Sequence, residues 1–395
     1  MKKTILISTI LAGLFMSVFC VQADAKKLTR KQKKENALID TAQISFDDKQ
    51  YETAVEYYTK ALIINPTNAE TYTKRGNALF LLGKFKDAVK DYSTALEIDP
   101  TKENAYYNRG IAKANLNAFE EVVEDYTKEI EINPDNANAY LNRGTTKVLL
   151  KKYDEAIEDF SKVIELDNDN ELGYFNRGIA KRNNDDYKGA IEDYTKVIEL
   201  NPKNIESYNN RGVAKFYLKD YKGAVEDYTH VISLNKNFKK AYYNRGIAYL
   251  GLKNYEEAIL DFTRETEINP KNDSAYYERA IAQGKLEHNS SALEDYTKAI
   301  EINPQNADYY ADKAALISKT NGDLNNALEN INKAIELDNR DPEKFLTRAI
   351  INCKKKNYLP AIDDLNILLQ ITPDNNQARE LRSYAIKSMG AELKN

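Results

Sequence analysis

Ala105-Tyr106-Tyr107-Asn108-Arg109-Gly110 and Ala241-Tyr242-Tyr243-Asn244-Arg245-Gly246 are the same six residues. Between them lie three near copies, Ala139 to Gly144, Gly173 to Gly178 and Ser207 to Gly212, each 34 residues after the last. A fixed period of this size marks a repeat architecture, in which each unit buries its apolar faces against the next. The frame extends to ten units beginning at Glu35, Ala69, Glu103, Ala137, Glu171, Ile205, Lys239, Asp273, Ala307 and Pro342. The ninth carries one extra residue near Asn321-Gly322, and the array ends near Asn375, covering 341 of 395 residues.

Two helical periods run through each unit. Positions 4, 8 and 11 recur on one face, and positions 20, 24 and 27 on another, so these are the expected buried faces. Position 4 is Tyr in eight units, from Tyr72 to Tyr310. Position 8 is Gly in six units and Ala in four, and position 20 is Ala in all but one, where Val122 stands. Position 24 is mostly aromatic, as in Tyr58, Tyr92, Phe160, Tyr194 and Phe262. Small residues at 8 and 20 let two antiparallel helices approach closely, and the rings fill the volume around that contact. Pro at position 32, present in seven units, stops the second helix.

On these residues the chain resembles the tetratricopeptide repeat family, with Tyr in place of the family's frequent Trp at position 4. The resemblance implies an all-α fold: a right-handed superhelical solenoid of about ten helical hairpins with a concave inner surface. Beyond the array, Ala378, Leu381, Ala385 and Met389 form an apolar helical stripe, so residues 376–395 read as a capping helix and tail.

An Arg and an Asp travel together through the units. Position 7 is Arg and position 23 is Asp in the same eight, among them Arg177 with Asp193 and Arg211 with Asp227. Unit one (Thr41, Tyr57) and unit nine (Lys313, Asn330) lose both. A hairpin turning near position 15 brings 7 and 23 level, which predicts a structural ion pair within a hairpin or across to the next. The alternative, a ladder of Arg gripping an anionic ligand, does not require the matching Asp.

The remaining face of the first helix, positions 2, 5, 6, 9 and 13, follows from an advance of about 100° per residue. Position 6 is Asn in five consecutive units: Asn108, Asn142, Asn176, Asn210 and Asn244. Beside them position 5 supplies Tyr107, Phe175, Tyr243 and Tyr277, and position 9 supplies Ile111, Ile179, Val213 and Ile247. A carboxamide both donates and accepts, so a row of them suits the backbone of an extended peptide. In the family this face lines the groove, and some tetratricopeptide and armadillo solenoids use a similar asparagine ladder to hold polypeptides. The clamp that other members use for a chaperone's C-terminal carboxylate needs Lys and Arg here, yet positions 5 and 9 hold neither in any unit.

The expected function is therefore a non-enzymatic protein-interaction scaffold that holds an extended polypeptide. The alternatives are a structural part of a cell-envelope assembly without a groove ligand, or a binder of cell-wall or carbohydrate polymers. No catalytic residue, metal site or cofactor is expected. The chain has only two Cys, Cys20 and Cys353, and two His, His230 and His288, too few for a typical structural zinc site. It has no Gly-rich phosphate loop. With 57 Lys+Arg against 61 Asp+Glu the formal charge is −4, which argues against nucleic acid as a partner.

Lys2 and Lys3 precede an uncharged, mostly apolar stretch from Thr4 to Phe19, and Ala23-Asp24-Ala25 follows. This is the three-part plan of a secretory signal peptide, read as residues 1–25, and the run is short for a bilayer span. It predicts an exported protein, periplasmic or secreted, with no stable membrane insertion after cleavage. Residues 26–34 carry six positive charges and no acid. They read as a mobile basic segment or one that touches an anionic polymer.

Overall fold

A computed structural model describes residues 28–392 apart from 103 and 321. The signal-peptide reading and the start of the basic segment lie outside the described residues. Among the described residues there are 21 α-helices and no strands. They group into two compact units that part between Ala139 and Tyr140.

The first unit holds three helical hairpins: Arg30–Asp47 with Tyr51–Ile64, Ala69–Leu81 with Phe85–Ile98, and Ala105–Asn115 with Phe119–Ile132. Its opening helix begins within the basic segment, because Thr29 and Gln32 close a reciprocal capping box there. Residues 30–34 are thus helical rather than a mobile lead-in.

The second unit continues the same construction. Repeat four pairs its first helix (Ala137–Leu149, which spans the division) with Tyr153–Leu166. Repeat five pairs Glu171–Asn183 with Tyr187–Leu200, repeat six Ile205–Tyr217 with Tyr221–Leu234, and repeat seven Ala241–Gly251 with Tyr255–Ile268. Repeats eight to ten follow as Asp273–Lys285 with Asn289–Ile302, Ala307–Lys319 with Leu324–Leu337, and Pro342–Lys354 with Tyr358–Ile371. The last helix, Asn376–Glu392, packs on the tenth hairpin through buried Ala378 and Ala385 and half-buried Leu381 and Met389.

Each hairpin closes the same way. In repeat five Asp185 takes a left-handed conformation (φ 61°), and the Asp186 amide reaches back to the Lys181 carbonyl at 2.9 Å. This is the six-residue helix-ending bond that satisfies an orphan carbonyl. The small residues at positions 8 and 20 lie at the helix contact. A Cβ added to Gly178 would stand 2.8 Å from the Tyr194 ring, which explains Gly at that crossing. Ala190 and Tyr194 are fully buried beneath it.

Candidate functional site

All eight Arg–Asp pairs form, and each lies within its own hairpin. Arg177 donates Nε and Nη2 to the two oxygens of Asp193 at 3.0 and 2.7 Å, a bidentate fork. Its Nη1 donates to the Ser161 hydroxyl of the preceding repeat at 3.1 Å. Arg211 does the same with Asp227 (3.0 and 2.7 Å) and with Thr195 (3.0 Å). The ring of Tyr174 lies 5.5 Å from the Arg177 guanidinium, so the position 4 ring also supports the cation. Only 3% of the Asp193 side chain is exposed.

Position 11 departs from the expected apolar face. It holds Lys113, Lys147, Lys181 and Lys215, whose ammonium groups stand 2.9 to 3.0 Å from the same carboxylates. The aliphatic stem takes the place of an apolar side chain, and the head adds a second cation to each buried Asp. The guanidinium groups are committed to these carboxylates and to Ser or Thr hydroxyls or, for Arg348, to Asn332 Oδ1, which leaves the anion-gripping ladder without its donors.

The asparagines divide between the two units. In the first, Asn108 donates to Asn77 Oδ1 at 3.1 Å, which also receives the Tyr92 hydroxyl at 2.8 Å. The Tyr107 ring packs against Tyr126 at 5.7 Å. In the second unit Asn142, Asn176, Asn210 and Asn244 are all half-buried. Asn210 Oδ1 receives Nη1 of Arg182 at 2.7 Å. Asn176 and Asn244 leave their carboxamides without a protein partner.

The predicted rings are shared between surface and core. Phe175 meets Tyr194 edge-on at 6.0 Å, Tyr243 meets Phe262 at 5.8 Å, and Tyr277 meets Tyr296 at 5.8 Å. Each position 5 ring therefore roofs the position 24 ring of its own hairpin. In repeat six Asn209 replaces that ring, and its Oδ1 is buried without a partner.

Past repeat seven the character of position 6 changes to Glu278 and Asp312. Tyr277 donates its hydroxyl to Asp312 at 2.7 Å. Burial, and then the Asp312 charge, push the Glu278 carboxyl up to about 6. Burial likewise raises Asp312, opposed by the Tyr277 hydrogen bond. Sequence reasoning missed Arg182, because position 12 was not counted with the inner face. Its signal was a lone charge where neighbouring repeats place Val148 and Phe216.

Among the described residues no group of three or more His, Cys, Asp or Glu stands together to hold a metal ion, and no helix is long and apolar enough to cross a membrane. The Cys353 thiol is free and buried.

Comparison with known families matches tetratricopeptide repeats along 42–341. One description of the repeat matches residues 42–83 and 76–117, a second 137–170, 172–204 and 240–272, and a third 103–136, 205–238, 273–306 and 307–341. The chain belongs to the tetratricopeptide repeat family.

Solved structures of tetratricopeptide repeat proteins share the fold. The C-terminal part of a repeat-containing protein from Cytophaga hutchinsonii is 19% identical over 61% of this chain and 98% of its own, with a TM-score of 0.54. A protein from Parabacteroides merdae is 21% identical over 64% of this chain and 99% of its own, with a TM-score of 0.46. YrrB, described as having an unusual peptide-binding site, is 23% identical over 48% of this chain and 97% of its own, with a TM-score of 0.45. No curated protein matches the chain. Tetratricopeptide repeats support a protein-interaction scaffold.

Proposed function

We propose that this is an exported, non-enzymatic scaffold that holds an extended polypeptide along the first helices of repeats four to eight. One observation carries the reading: Asn176 and Asn244 hold half-buried carboxamides that the protein itself leaves unpaired. They flank a stretch of apolar neighbours, Ile179, Val213 and Ile247. Polar groups in such a setting favour a partner that offers both a donor and an acceptor, as every peptide unit does. The apolar neighbours supply contact area.

The test is binding of the full chain to an unbiased peptide array, alongside a double variant with Asn176 and Asn244 changed to Ala. We expect the variant to lose peptide binding at least about tenfold, the scale of one or two hydrogen bonds, with unchanged thermal stability. Equal binding by both proteins removes the groove reading. Export rests on the basic, apolar and Ala-x-Ala segments at the N-terminus. N-terminal sequencing of protein from the producing cell tests it, and a mature chain starting at Lys26 is the expected result.

A further inference from the structure

Arg182 sits at position 12, where the other repeats place uncharged residues such as Phe80, Val148, Phe216 and Leu250. Its guanidinium is half-buried and reaches the asparagine face of repeat six, donating to Asn210 Oδ1 at 2.7 Å and to Asn183 Oδ1 at 3.3 Å. Both acceptors are neutral amides. Arg182 makes no ion pair, unlike the Arg of every position 7, and a half-buried cation without a carboxylate is incompletely compensated.

A second unpaired group lies in the core of the same hairpin. Tyr194 is 0% exposed, and its hydroxyl has no hydrogen-bond partner. The equivalent hydroxyls in repeats one and two are satisfied at position 9, Tyr58 by Gln43 and Tyr92 by Asn77. Repeat five has Ile179 there, which accepts nothing. Burial raises the Tyr194 hydroxyl's pKa, and the nearby Arg182 charge opposes the rise. That hydroxyl is fully buried under the Phe175 ring, so it stands apart from the groove-facing Arg182.

We propose that Arg182 and Asn210 form a subsite for the side-chain carboxylate of an Asp or Glu within the bound polypeptide. This rests on the groove reading above. A carboxylate accepts hydrogen bonds only, at two oxygens, and so meets the free guanidinium N–H groups and the Asn210 Nδ2. The residue is an interior one because the asparagine face continues on both sides, through Asn176 of repeat five and Asn244 of repeat seven.

The experiment screens the full chain on arrays of short peptides with free and with amidated C-termini, comparing wild type, Arg182→Gln, Arg182→Glu and Tyr194→Phe. Wild type selects peptides with an acidic residue at one interior place. Arg182→Gln weakens those peptides about tenfold while neutral peptides stay bound, and Arg182→Glu moves the selection toward Lys or Arg. Tyr194→Phe serves as the control: it leaves the free chain at least as stable, since a partnerless buried hydroxyl is gone, and leaves the acidic selection as in wild type. Selection that ignores acidic residues, selection for the free C-terminus, or an Arg182→Gln profile like wild type overturns the subsite alone. Failure of the wild-type chain to capture any peptide overturns the groove with it.

Discussion

Repeats five and nine build the same hairpin with opposite treatments of charge. In repeat five Asp193 is buried between Arg177 and Lys181, so each charge of that group has a partner. In repeat nine both members are missing. Lys313 stands at position 7, where burial lowers its pKa, and Asn330 turns to Asn326 of its own helix at 2.8 Å. Ala314, Ile317, Ala327, Ile331 and Ala334 fill the interior with aliphatic side chains instead. The Arg–Asp–Lys group is therefore not what bends the chain into a hairpin. Once the Asp is buried, however, its Arg is required, while the Lys joins only in repeats three to six. This explains why Arg and Asp are lost together in units one and nine and never singly.

The largest effect that breaks this contrast is Asp193→Ala. It strands two cations in repeat five and is expected to cost about 3–5 kcal/mol, read as a fall in the urea unfolding midpoint. The companion measurement is a double-mutant cycle on Arg177 and Asp193; losses that simply add would mean the two side chains do not interact. A smaller effect is Gly178→Ala, whose methyl meets the Tyr194 ring at 2.8 Å and is expected to cost about 1–3 kcal/mol. Ala314, at the same position in repeat nine, faces Ile331 and accommodates the methyl already.

The smallest effect has the opposite sign. Glu278 has a folded pKa of about 6, above its ordinary 4.5, so the folded chain holds that proton more tightly than the unfolded one. The associated stability is fully present below the ordinary value and is lost as pH rises through about 6. Glu278→Gln should therefore stabilise the chain by about 1 kcal/mol at neutral pH and by nothing near pH 4. Thermal midpoints at the two pH values check this, and an equal shift at both would remove the carboxylate argument.

The repeat itself was legible because its signals recur. Small residues at 8 and 20, rings at 4 and 24 and the paired Arg and Asp each appear many times in one chain, so spacing alone picks them out. The turns were less legible. Among the described residues the left-handed residue at position 15 is Gly only at Gly83; elsewhere it is Lys (Lys49, Lys151, Lys219, Lys253 and Lys356), Asn117, Asp185 or Glu287, so the usual glycine marker is absent. Lys at position 11 misled for a different reason. Periodicity assigns a face but not whether a long stem on it ends in water or on a buried carboxylate, as Lys181 does. Arg182 escaped because it occurs once, and a repeat pattern hides what it does not repeat. The division between Ala139 and Tyr140 left no mark in composition, since it falls inside a helix of ordinary sequence.

The third donor of each paired arginine gives the array a direction. Within the second unit Arg177 and Arg211 reach backward to Ser161 and Thr195, and those hydroxyls already donate to their own helix carbonyls at Ile157 and Ile191. In these polar contacts, stripping hairpins from the C-terminal side leaves behind a hydroxyl whose proton is still satisfied. Stripping them from the N-terminal side leaves a half-buried guanidinium N–H with nothing to bind. As far as these hydrogen bonds go, the second unit withstands the loss of hairpins behind an arginine better than the loss of the one ahead of it in the chain.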